Sequence, residues 1–204
     1  MPLVKRAELI DGIVYMPSPV SDIQSDFHLL LGGWLLFYAK ATPGCAARLS
    51  GTWLMPRESV PQPGLAMRIL AGHGGQSWME NKYPAGAPEL IVEISHATSL
   101  GDSGTKLRLY ERSGVREYLI VRPEKQQAIW RELFDGGYRE IAAGQDGILR
   151  SRVFPGLWLD VAAVWSGDFA GLTAVVQQGM ATVEHAEFVN RLELAKLFQQ
   201  PYRG

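Results

Sequence analysis

The sequence predicts a chain of mixed α and β structure, of the α/β (α+β) kind. Three stretches predict it: a hairpin signal at residues 8–16, a long helix with one apolar face from residue 21, and the aliphatic run ELIVEIS at 89–95.

ELI-DG-IVYM (8–16) sets two short apolar runs around Asp11-Gly12. Asp-Gly favours the positive φ of a tight turn, so the chain opens on a β-hairpin. Ser21 and Gln24 form a capping-box pattern. Behind them Ile23, Phe27, Leu30, Leu31, Trp34, Leu35 and Tyr38 recur at steps of three and four, which gives one wide apolar helix face. Gly32 and Gly33 interrupt it where close packing on a sheet would be served, and Thr42-Pro43-Gly44 stops it.

AARLSGTWLM (46–55) and LAMRIL (65–70) read as strands, and the Gly-rich stretch 71–87 as a long loop. ELIVEIS reads as a strand buried on both faces. DSGTKLRLYERS (102–113) carries a helical pattern closed by Gly114. REYLIV (116–121), QAIWREL (127–133) and GYREIAA (137–143) then read as consecutive antiparallel strands, with FDGG turning the last pair. Residues 161–200 read as helical, with Val189, Leu192, Ala195 and Phe198 or Gln199 on one face. The organisation expected is one domain over 1–160 and a C-terminal helical extension over 161–204.

The chain has 204 residues, 47% of them hydrophobic, with 20 basic and 21 acidic side chains. That suffices for one core and argues against disorder. No basic excess advertises a nucleic-acid polymer, although a cleft can be basic on a neutral protein. Cys45 is the one cysteine, so neither an internal disulfide nor a cysteine-based zinc site can form, and it reads as a small buried hydrophobe. No stretch is long enough to span a bilayer and no signal-peptide core precedes the hairpin, so a cytoplasmic protein with no membrane partner is expected.

Glu93 is the sharpest chemical feature, because a carboxylate inside a buried strand is costly unless it is paired or binds a metal. The bland alternative puts it at the strand's end, in water or in a salt bridge. Lys106 follows thirteen residues later, four after Asp102 and four before Tyr110, so the three share a helix face. Here the bland alternative is a solvated ion pair with Asp102 as helix cap. Ser95 and Ser99 have no His–Asp partners at a recognisable spacing. His28 on the long helix is by type more often structural than a ligand, and His73, His96 and His185 show no metal-ligand spacing. GHGG at 72–75 is loop glycine.

The order of these features carries a resemblance: ELIDGIVYMPSP, a helix bearing His28, VPQP before a strand, PELIVEIS, D-x-x-x-K-x-x-x-Y, then GVREYLIV. It resembles the Uma-type family of restriction endonucleases, within the PD-(D/E)XK nuclease superfamily, from about Glu8 to about residue 133. The resemblance implies a restriction-endonuclease-like mixed central sheet flanked by helices. It implies phosphodiester hydrolysis of DNA with Mg²⁺ or Mn²⁺, by an enzyme that acts as a homodimer. Glu93 matches the metal-binding glutamate, and Ile94 would lend its backbone carbonyl. Ser95 stands where the superfamily's lysine is usual, and Lys106 takes that role from the next helix. Asp102, Tyr110, His28 and Glu8 fall in the surrounding shell. The family's aspartate belongs directly after the last proline of VPQP, where this chain has Gly64. Glu58 and Glu80 are distant substitutes for it. Three readings stay open: an endonuclease impaired at Gly64, an inactive nuclease-fold module that binds nucleic acid or protein, and a structural role in which Glu93 and Lys106 are only an internal ion pair.

Overall fold

The computed structural model describes residues 7–16, 19–95 and 102–198, and the side chains of Asp102 and Ser103 are outside that description. His96, Ser99 and Gln199, singled out above, also lie outside it.

Strands β1 (Glu8–Ile10) and β2 (Ile13–Tyr15) form the hairpin, with Asp11 and Gly12 both at positive φ. Helix α1 (Asp22–Ala41) starts on the complete Ser21–Gln24 capping box. Strands β3 (Cys45–Leu49) and β4 (Leu65–Ile69) follow. β3 is shorter than expected because Ser50 takes a φ of 48°, which ends the extended run. The stretch 71–87, expected to be a loop, holds a 3₁₀ turn (Ala71–His73) and a second hairpin, β5 (Trp78–Glu80) with β6 (Tyr83–Ala85). Asn81 and Lys82 make its two-residue turn at positive φ, a conformation that Asn adopts more readily than most residues.

Strand β7 (Leu90–Ile94) carries Glu93. A π-helical turn, Asp102–Lys106, runs into α2 (Leu107–Ser113), which Gly114 closes in the left-handed conformation. Strands β8 (Glu117–Arg122), β9 (Gln127–Phe134) and β10 (Gly137–Glu140) come next, then β11 (Ile148–Arg150) paired with β12 (Trp158–Asp160). Helices α3 (Val161–Ser166), α4 (Phe169–Met180) and α5 (Val183–Phe198) complete the chain.

The central sheet has six strands in the order β10-β9-β8-β7-β4-β3. Its pairings are antiparallel except β7 with β8, which run parallel. A parallel pair needs a crossover, and the segment bearing α2 supplies it. Alternation along the strands splits the core in two. Leu65, Met67, Leu90, Val92, Ile94, Leu119 and Val121 join the cluster built on α1 and the C-terminal helices. Ala66, Ile91, Tyr118 and Ile120 join the other, with Leu109 and Tyr110 of α2 and with Trp53. Glu93, between Val92 and Ile94, therefore faces the α2 side.

Gly32 packs against Leu65 of the sheet as expected, whereas Gly33 faces the Phe169 ring of α4. On α1, Trp34 Nε1 donates to Trp158 O at 2.8 Å and Tyr38 OH to Pro155 O at 2.8 Å, so the polar tips of two buried rings are satisfied. The buried face of α5 is His185, Phe188 and Leu192; Phe198, expected on it, is 87% exposed. The Phe188 ring meets Phe154 edge-on and His185 bonds the Thr42 hydroxyl, and these contacts set the helix's rotation. Among the described residues no helix is long and apolar enough to cross a membrane.

Candidate active site

Four chain segments converge beside the β4–β7 pair. Leu65 pairs with Val92, so Gly64 stands beside Glu93, and its N–H donates to Glu93 Oε2 at 3.3 Å. Glu8 comes from β1. That hairpin is tied down by the Leu9–Val60 bridge and by an Asp11–Arg112 ion pair to α2. Lys106 and Tyr110 come from the π-turn and α2, where a spacing of four residues puts both on one face. A π-turn winds wider than an α-helix and re-aims the side chains at its end; such turns recur at functional sites.

The Lys106 ammonium lies 3.1 Å from Glu93 Oε1 and 3.1 Å from Glu8 Oε2, and so bridges the two acids. Tyr110 OH donates to Glu93 Oε1 at 2.8 Å. The Gln62 N–H donates to Glu8 Oε1 at 2.6 Å. Glu93 and Lys106 are each 8% exposed and Glu8 5%. Glu93 lies in a salt bridge, as the bland reading allowed, and not in water; Lys106 is not a solvated surface cation but a buried one. At such depth an unpaired charge would be prohibitive, and the ammonium offsets the desolvation of both carboxylates. Burial still pushes the Glu8 carboxyl above its ordinary range, against the pull of Lys106. Burial first, then the Glu93 charge, drives the Tyr110 phenol well above its ordinary value, so it stays a hydrogen-bond donor.

The other sequence candidates are placed less centrally. The Ile94 carbonyl accepts from Gln24 Nε2 at 3.3 Å. Ser95 is buried and its N–H donates to Val121 O at 3.0 Å, a sheet contact. Asp102 begins the π-turn. His28 lies beside Gly64. Glu58 and Glu80 are exposed. Cys45 is half-buried and its thiol is pushed up to about 12, mainly by burial, which makes it unreactive. Sequence reasoning gave Glu8 only a peripheral place. The alternation of β1, with Glu8 and Ile10 both buried on one face, was the signal that pointed inward.

The donor set suits a hard divalent cation in kind, since Glu93 and Glu8 offer carboxylate oxygens. In number it is sparse: among the described residues no group of three or more His, Cys, Asp or Glu side chains is arranged to hold a metal. Mg²⁺ is commonly held by one or two carboxylates, its waters and substrate phosphates, and two carboxylates meet that requirement. The arrangement can therefore hold a cation weakly and set an ammonium beside a polarised substrate.

Comparison with known proteins bears on the family and the fold. The family model Uma2, described as "Putative restriction endonuclease", matches residues 3–162. Among solved structures, the chain is similar to "a putative nuclease belonging to DUF820" from Anabaena variabilis, with a TM-score of 0.61 and 14% identity, over 78% of this chain and 89% of that one. At that identity the likeness speaks for the fold. No curated protein matches the sequence.

Proposed function

Because the chain belongs to the Uma2 family of restriction-endonuclease-like proteins, we propose that it hydrolyses DNA phosphodiesters as a divalent-metal-dependent endonuclease, slowed by the absence of a carboxylate at position 64. The observation that carries this reading is the buried Lys106 ammonium between Glu8 and Glu93.

In this reading Glu93 and Glu8 would hold Mg²⁺ or Mn²⁺, and the Ile94 carbonyl, which accepts from the Gln24 amide, would lend a further oxygen. The metal supplies Lewis-acid polarisation of the phosphoryl oxygen and acidifies a bound water. Lys106 stabilises the charge that builds on the phosphoryl group and orients the attacking water. Tyr110 and the Gly64 N–H fix the two Glu93 oxygens, so the carboxylate is already aligned when substrate arrives. Asp102 starts the turn that aims Lys106. The catalytic unit is residues 1–160, the helices beyond are an extension, and two copies pair to cut two strands. A DNA substrate puts this work in the cytoplasm.

Purified protein with Mn²⁺ is expected to nick supercoiled plasmid, Glu93→Ala to abolish nicking, and Gly64→Asp to accelerate it. Sedimentation of the protein with and without DNA tests the pairing.

A second reading has its own observation. The chain's own donors already satisfy both Glu93 oxygens, and the ammonium stands where a cation would bridge the acids. On that reading the protein is an inactive nuclease-fold module that binds nucleic acid or protein. It predicts no nicking by wild type and a gain of nicking in Gly64→Asp.

A further inference from the structure

The space left by the missing side chain at position 64 is filled by His28. A β-carbon built on Gly64 would lie 2.8 Å from His28 Nε2 and 3.2 Å from Val92 O, so no side chain fits there unless the imidazole moves. The ring is held from behind: His28 Nδ1 lies 2.7 Å from Gln24 O. A carbonyl oxygen only accepts, so Nδ1 is a protonated nitrogen, and in the neutral ring Nε2 then carries the lone pair that faces Gly64. Gln24 is itself anchored, by the capping box and by its amide on Ile94 O. A ring nitrogen with its other nitrogen bound to a carbonyl is the usual arrangement of a metal-ligating histidine.

We propose that His28 Nε2 takes over from the missing carboxylate as a ligand beside Glu93, and that the site therefore takes a first-row transition ion of the Co²⁺ or Zn²⁺ class in preference to Mg²⁺. This rests on the reading of Glu93 as a metal ligand. Its physical basis is that imidazole nitrogen suits transition ions, whereas Mg²⁺ prefers oxygen. Gly64 and His28 then form an exchangeable pair: a carboxylate at 64 displaces the ring and returns the site to oxygen ligands.

The test is metal binding, read without turnover. Co²⁺ alone and Mg²⁺ alone are titrated into wild type, His28→Gln, Glu93→Gln and Gly64→Asp, and followed by calorimetry and by Co²⁺ visible absorption. Wild type is expected to bind Co²⁺ more tightly than Mg²⁺, His28→Gln to weaken Co²⁺ binding by about tenfold or more, and Gly64→Asp to gain Mg²⁺ affinity. In ¹⁵N-histidine spectra Zn²⁺ should shift Nε2 of one of the four histidines, and that signal should vanish in His28→Gln. If His28→Gln binds Co²⁺ as wild type does while Glu93→Gln does not, the His28 proposal falls and the metal role of Glu93 stands. If neither substitution changes Co²⁺ binding, both fall.

Discussion

Glu93 and Glu117 sit on the adjacent parallel strands β7 and β8, each buried, each a carboxylate in a sheet. They face opposite sides. Glu117 alternates with Leu119 and Val121 and points to the larger core, where Ser151 Oγ donates to it at 2.7 Å, Arg152 N at 2.6 Å and Val153 N at 3.1 Å. Two of those three donors are backbone, fixed by the turn between β11 and β12. Glu93 is met by a lysine, a phenol and one backbone amide. Side-chain donors can rotate away from a carboxylate, while backbone donors in a packed turn cannot. A buried acid is thus no mark of a reaction centre by itself. What separates Glu93 is that two of its three partners are side chains, which under the proposed function would give way to a cation and a substrate.

Changes at the two acids sharpen this contrast, and the largest expected effect is at the one met by side chains. Lys106→Met leaves Glu8 and Glu93 without their shared ammonium and is expected to cost about 3–5 kcal/mol. Urea unfolding measures it, and added Mn²⁺ should restore more stability to this variant than to wild type. Glu117→Ala strands the donors of the 151–153 turn and is expected to cost about 3 kcal/mol, at about 1–3 kcal/mol for each unmet buried group offset by removing a desolvated acid. It should leave the metal affinity of the folded protein unchanged.

Acidity gives a further prediction at Glu117. Burial raises the Glu117 carboxyl from about 4.5 to about 7. Folded chains then hold a proton that unfolded chains release. The contribution to stability is therefore complete below about pH 4.5 and is lost as pH rises to about 7, by at most about 3 kcal/mol. Unfolding curves across that window should show the slope in wild type and a flatter profile in Glu117→Gln. The smallest effect is Tyr110→Phe, which removes one donor to Glu93 and is expected to cost about 1 kcal/mol.

Much of this was legible in the chain. The Asp11-Gly12 turn, the Ser21–Gln24 cap, the aliphatic β7 run and strands β8, β9 and β10 follow from local chemistry, whereas the β11–β12 pair was not read from it. The β5–β6 hairpin was hidden because its strands are three residues each and mostly exposed, so they show no hydrophobic period. At the candidate site, Glu93 stood out as an acid inside an apolar run, whereas spacing gave Lys106 only a helix face shared with Asp102 and Tyr110, and its place beside Glu93 came from the family resemblance. Glu8 was legible only faintly, because it reaches Lys106 through a bridge to Val60 and a bond to Gln62, partners more than fifty residues away. The approach of His28 to Gly64 is likewise tertiary, set by where α1 crosses β4. The rotation of α5 depended on Phe154 and Thr42, which its own pattern does not contain.

The central claim is that Glu93, and not merely a buried acid of this sheet, is the reaction centre. Mn²⁺-dependent plasmid nicking by wild type, Glu93→Gln and Glu117→Gln, with the melting temperature of each preparation, tests it most directly. The account predicts that wild type and folded Glu117→Gln nick at equal rates while Glu93→Gln, still folded, does not nick. Wild type without nicking, or Glu93→Gln nicking at the wild-type rate, would contradict it.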